Sequence, residues 1–288
     1  MVETTLNYLA AMAERPVYYL YEPPPGIPWR NTKGDRRRLF IHDARNLAPE
    51  PSLDREGFVL AHLETAAANL HDSAAVREVY YAEVERLVKD ITGATRVLAF
   101  DFNLRRGELT TRGEDGAQPP VRFAHNDYTE RSGPQRVRDL LSAAEAEIAL
   151  RNRFAVINVW KPIRGPVQQT PLAVCDARTI APRDLVPTDL RYRDRTGEVY
   201  SLTFSPAHRW FYFPTMRADE AMLLKCFDAD ARRARFTAHS AFDDPTSPPD
   251  APPRESIEVR TLAFFPRSSK RRRGSTVPRE ITTCTARR

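Results

Sequence analysis

Apolar and polar positions change their rhythm once along this chain, near residue 95. Before that point the pattern is mixed. A short apolar run, Val17-Tyr18-Tyr19-Leu20-Tyr21, leads into Glu22-Pro23-Pro24-Pro25-Gly26-Ile27-Pro28, where consecutive prolines rule out a helix or a central strand. Residues 1–50, which also carry the basic cluster Arg36-Arg37-Arg38, therefore read as an N-terminal arm packed over a core. The spacing predicts a first helix from Leu53 to about His71. Asp72-Ser73 opens a second, in which Val76, Val79, Tyr80, Val84, Leu87, Val88 and Ile91 recur at helical spacing until Gly93 ends it.

After residue 95 the rhythm is that of short strands. Runs at 96–102, 121–127, 154–160, 172–177, 198–204, 210–213, 222–227, 235–242 and 256–265 are rich in β-branched and aromatic residues, with Gly and Pro between them. One helix interrupts them around 134–150, with Val137, Leu140, Leu141, Ala144 and Ile148 on one face. A mainly β fold with flanking helices follows, its core a jelly roll of two antiparallel sheets with a site in the open mouth. Residues 51–266 are expected to form that single domain. From 267 to 288 periodicity stops, and the segment reads as a basic disordered tail.

Charge changes the picture only when it is located. The chain of 288 residues carries a formal net charge of +6, which by itself points to nucleic acid. Residues 267–288, however, hold eight basic side chains and one acidic one, Glu280, so the body is close to neutral. A short run such as Lys270–Arg273 reads as a solvated tail, and nucleic acid is not the expected partner. No apolar run approaches the ~20 residues of a membrane span, and the first residues carry no leader pattern, so a cytoplasmic location is expected. Cys175, Cys226 and Cys284 share no pairing or zinc-binding spacing and read as reduced.

Candidate chemistry concentrates in Arg122-Phe123-Ala124-His125-Asn126-Asp127-Tyr128-Thr129. In an extended strand alternate side chains share a face, so His125 and Asp127 converge on one point. An imidazole and a carboxylate joined by one further His form the facial triad of non-haem Fe(II) oxygenases. His42, in the arm, and His62 and His71, in the first predicted helix, read as surface or helix-end residues. His239 and His208 remain as sources of the third ligand. Past His239, Arg254, Ser256, Glu258 and Arg260 share one strand face. There an Arg and a Ser two apart can grip a carboxylate, as the distal end of 2-oxoglutarate requires. Arg217, nine residues after His208, offers the same chemistry beside that histidine.

Taken together and in order, His125–Thr129, Asn158-Val159-Trp160-Lys161-Pro162-Ile163, Pro171–Asp176, His208–Pro214, His239–Pro245 and Arg254–Arg260 resemble one family over about residues 18–265. It is the hydroxylase/desaturase family that includes the fungal gibberellin desaturase and the cephalosporin C-7 hydroxylase component of cephamycin biosynthesis. The resemblance implies a double-stranded β-helix of cupin-like form and an Fe(II)/2-oxoglutarate-dependent oxygenase of secondary metabolism, with Fe(II), 2-oxoglutarate and O2 as cofactors and ascorbate as reductant in vitro. It implies His125, Asp127 and His239 as iron ligands, with His208 the alternative, and Arg254 and Ser256 as the cosubstrate clamp. Arg254 and Arg260 stand 15 and 21 residues after His239, where many such enzymes place the clamp arginine near ten, so both are clamp candidates. Tyr128, Asn158, Trp160 and Tyr212 are candidates for the substrate-facing wall. The expected partners are a small-molecule substrate and a methyltransferase that would complete a hydroxylation–methylation pair. A non-catalytic jelly-roll protein that binds a small molecule is the alternative.

Overall fold

The computed structural model describes residues 1–109, 113 and 117–266; the expected disordered tail, 267–288, lies outside the described residues. The first half of the chain contributes β1 (Val2–Leu9), β2 (Val17–Tyr19), β3 (Gly34–Asp43), β4 (Phe58–His62), β5 (Arg96–Arg106) and β6 (His125–Asn126). The second half contributes β7 (Phe154–Pro162), β8 (Leu172–Cys175), β9 (Leu185–Arg191), β10 (Thr196–Leu202), β11 (Trp210–Tyr212), β12 (Glu220–Asp228), β13 (His239–Ala241) and β14 (Glu255–Phe264). They form a nine-stranded sheet, β1-β3-β11-β8-β13-β6-β10-β9-β2, and a five-stranded sheet, β4-β12-β7-β14-β5. Among the named strands every pairing is antiparallel except β3 with β11 and β2 with β9. This is the expected jelly-roll layering.

The five-stranded sheet is buried on both faces, and the alternation along its central strands shows why. On β7, Ala155, Ile157 and Val159 pack with Val84 and Val88 of a helix on the outer face, while Val156 and Trp160 join Phe58, Val174, Phe211 and Leu224 between the two sheets. β14 sends Ile257, Val259 and Ala263 outward in the same way. Its inward positions Ser256, Glu258 and Arg260 are polar, buried or nearly so, and they face the site.

The helix expected after Asp72 forms as α1 (Ser73–Ala75), a π-type turn (Val76–Tyr80) and α2 (Tyr81–Thr92). Asp72 accepts a hydrogen bond from the Ala74 amide at 3.0 Å, and Gly93, at φ 70°, supplies the left-handed C-terminal residue. The helix expected over 53–71 does not form. Phe58–His62 pair antiparallel with β12 and form the edge of the five-stranded sheet, and strand pairing there overrides helical spacing. The helix expected around 134–150 is two: α3 (Ser132–Leu140) ends at the extended Leu141, and Ser142 begins α4 (Ala143–Leu150) with a capping box to Glu145. Residues 1–50, expected as an arm over the core, place β1 and β3 within the nine-stranded sheet, where Leu6, Tyr8 and Ile41 are buried against Leu202 and Trp210.

Candidate metal centre

β6 is only two residues long, yet the alternation expected over 121–127 holds. Ala124 and Asn126 point into the core on one side. Asn126 fastens the segment there, donating to the carbonyls of Tyr128 at 2.7 Å and Cys226 at 2.8 Å and accepting from the Thr237 amide at 3.1 Å. His125 and Asp127 point to the other side, with Nε2 and Oδ1 3.5 Å apart. The register of β13 against β6 sets His239 directly opposite His125, the rings 4.4 Å apart between centroids. One ligand atom from each of His125, Asp127 and His239 lies within 4.8 Å of the others.

The remaining polar atoms of these side chains are already engaged. Nδ1 of His125 bonds the Phe123 carbonyl at 2.8 Å and Nδ1 of His239 the Thr237 carbonyl at 3.2 Å. A carbonyl can only accept, so both rings carry hydrogen on Nδ1 and turn Nε2 inward. Asp127 Oδ2 accepts from Asn158 Nδ2 at 2.8 Å and Arg260 Nε at 3.1 Å, which leaves Oδ1 toward the histidines. Burial opposes the Asp127 charge, but Arg260, aided by His125 and His239, outweighs it and holds the carboxyl well below the usual range. Burial and the neighbouring His125 bring His239 down to about 4, so it is neutral at physiological pH.

The sequence left His208 and His239 both open, and the structure separates them. His208 is buried elsewhere, bonded to Asp184 at 3.1 Å and stacked on Tyr8. Arg217 pairs with Asp219 at the surface. The two clamp arginines separate as well. Arg260 is occupied by Asp127 and by Asp101 at 2.8 Å. Arg254 has no carboxylate within 4 Å among the described residues; it donates to the Thr170 carbonyl at 2.6 Å and lies over the Trp160 ring at 5.5 Å. Thr170 holds φ at 51°, a conformation costly for a non-glycine residue, and presents that carbonyl. Nε of Arg254 and Oγ of Ser256 are buried with no partner among the described residues.

Arg105 went unnoticed in the sequence. Its β5 position pairs with Ser256, which brings it into the same narrow cleft as the triad, Arg254 and Glu258. It donates at 2.7 Å to Gln118 and at 3.1 Å to the Pro119 carbonyl, both neutral. Burial and Arg105 together pull Arg254 down to about 9. Burial followed by Asp127 pushes Glu258 up. No motif marks Arg105; only cross-strand register reveals it. Of the four residues read as substrate-facing, Trp160 lines this cleft, Asn158 bonds Asp127 and Tyr128 borders an adjoining space. Tyr212 packs edge-on against Phe242, outside it.

Comparison with known proteins agrees with this geometry. A family model described as an oxidoreductase/YMDC permease-like domain (YDMC) matches residues 6–264. The Fe(II)/2-oxoglutarate-dependent dioxygenase nvfI of Aspergillus novofumigatus is 37% identical over 257 residues, covering 86% of this chain and 90% of that protein. The hydroxylase/desaturase efuI of Hormonema carpetanum is 31% identical, covering 92% of this chain and 95% of its own length. A solved structure of the iron and alpha-ketoglutarate-dependent endoperoxidase NvfI superposes with a TM-score of 0.83 at 33% identity, over 92% of this chain and 98% of that one.

Proposed function

This chain belongs to the hydroxylase/desaturase family of Fe(II)/2-oxoglutarate-dependent oxygenases, and from that membership we propose that it hydroxylates or desaturates an unactivated C–H position of a small molecule in natural-product metabolism. The observation that carries the residue assignment is the convergence of His125, Asp127 and His239 with their other polar atoms tied back. Two imidazoles and a carboxylate are a donor set suited to Fe(II). The Nδ1 bonds to carbonyls leave Nε2 of each ring facing the centre, so the residues fit the ion. In this reading Asn158 and Arg260 orient Asp127 and keep its second oxygen occupied.

The cleft beside the triad fits the cosubstrate in the same way. Arg254, buried, and Arg105, half-buried, are cations without a carboxylate within 4 Å among the described residues, and Ser256 offers an unused hydroxyl. A dianion would satisfy all three, so Arg254 and Ser256 grip the distal carboxylate of 2-oxoglutarate with Arg105 behind them, while Arg260 serves Asp127 instead. Fe(II) with 2-oxoglutarate and O2 supplies the oxidising chemistry, and the cosubstrate leaves as succinate and CO2. Trp160 beneath Arg254 keeps the clamp in place and excludes water. Among the described residues no helix is long and apolar enough to cross a membrane. The reading carries with it a cytoplasmic enzyme and a methyltransferase acting on a hydroxylated product.

The test is succinate release by the purified protein supplied with Fe(II), ascorbate, 2-oxoglutarate and O2. His125→Ala and His239→Ala are expected to abolish it and His208→Ala to retain it. Release that survives His239→Ala would refute the ligand assignment. Failure of the Fe(II) form to bind 2-oxoglutarate would leave a jelly-roll binding protein.

A further inference from the structure

Asp127 and Arg260 border two spaces: the clamp cleft on one side and, on the other, a chamber of about 500 Å3. That volume is in the range that holds a drug-sized molecule. One wall is the polar face of α3, which begins five residues after Asp127, and the opposite wall is the hairpin of β9 and β10. A polar helix face that lines one side of an open cleft, with a strand hairpin opposite, is a surface for recognition.

The carboxylates of this chamber are all engaged. Asp101 and Asp127 hold Arg260. Glu198 accepts from Arg15 at 2.5 Å and from Thr129. Asp139 accepts from Gln135 at 2.8 Å. The guanidinium of Arg136 stands apart from that balance. Its nearest carboxylate, Asp139, is 3.6 Å away, too far for a hydrogen bond, and its Nε has no acceptor among the described residues. It is held over the Phe100 ring at 5.5 Å with its side chain 26% exposed. Across the chamber Arg195 stacks on Tyr192 at 3.9 Å with no carboxylate within 4 Å among the described residues. The walls thus present one cation, Arg195, with no carboxylate within 4 Å among the described residues, and a second, Arg136, that meets its carboxylate only as a long ion pair. An amine ligand would add a cation where every acidic group is already taken.

We propose that this chamber takes the substrate, an anionic small molecule, and that Arg136 determines specificity by gripping its carboxylate, with Arg195 closing over it. The inference rests on the oxygenase reading of the adjoining centre. Placed here, the body of the substrate lies beside Asp127, and the position to be oxidised is set by its distance from the carboxylate.

The test uses the full chain with Fe(II) and 2-oxoglutarate, without O2, and two fluorescent probes, 1-pyrenebutyrate and its methyl ester, titrated by anisotropy. The wild type is expected to bind the acid at least tenfold more tightly than the ester, the size of one charge-assisted hydrogen bond. Arg136→Gln is expected to remove that preference while still binding the ester, and Arg136→Lys to keep part of it. Absence of an acid preference in the wild type, absence of binding included, overturns the proposal, as does a preference that survives in Arg136→Gln. The oxygenase reading is judged separately: no succinate from the wild type in air would sink that reading while leaving the acid-to-ester ratio to stand on its own measurement.

Discussion

Two of the groups of buried charge among the described residues are treated in opposite ways. At one end of β12, Lys225 donates to Asp54 at 2.5 Å and Asp228 at 2.9 Å; Arg153 bonds Asp228 at 2.8 Å, and Arg233 closes on Asp54. Lys225 and Asp228 are fully buried, and every charge there meets an opposite one. In the cleft beside the triad Arg254 is buried and Arg105 half-buried, but their acceptors are a backbone carbonyl, an amide and a second carbonyl. Burial carries a desolvation cost in both places. A chain that can neutralise one cluster with its own carboxylates but leaves two cations bare in the other is built for an anion that arrives from outside.

The comparison is tested most strongly by removing one partner from each group. Asp228→Asn leaves Lys225 and Arg153 to share the half-exposed Asp54, and a loss of about 3 kcal/mol, the lower end for a broken buried pair, is expected in urea unfolding. Arg254→Met removes a charge that has no partner, so unfolding stability is expected to stay level or rise. In the wild type, 2-oxoglutarate at a hundred times its Kd should add about 2.7 kcal/mol of stability, and Arg254→Met should lose that gain. A variant as unstable as Asp228→Asn would place Arg254 in the structural class instead.

The smallest expected effect concerns pH. Burial works against the Asp54 charge, but the Lys225 hydrogen bond and the nearby cations outweigh it and hold the carboxyl below its ordinary value. A depressed folded value means the contribution is present above the unfolded value, near 4, and is lost as pH falls through the folded one. Because Asp54 is 45% exposed, the effect is screened and small. Acid unfolding curves for the wild type and Asp54→Asn should therefore converge below about pH 4 and separate above it.

The sequence by itself placed most of the candidate residues and most of the elements that hold them. A period of two places His125 and Asp127 on one face whatever the neighbouring strand does, and it also sets Ser256, Glu258 and Arg260 inward on β14. Asp72 and Gly93 mark the ends of a helix by local hydrogen bonding and left-handed backbone, which require no distant partner. Local pattern failed where pairing decided. The segment 58–62 has helical spacing but lies against the edge of β12, and β1 and β3 of the presumed arm complete the larger sheet. Only tertiary structure shows that His239 and not His208 lies beside His125, because strand register sets His239 against it while Asp184 takes His208. It likewise assigned Arg260 to Asp127 and left Arg254 bare, and it brought Arg105 into the cleft. Which counter-charge each arginine meets depends on strands far apart in the chain, and spacing along one strand carries no record of that.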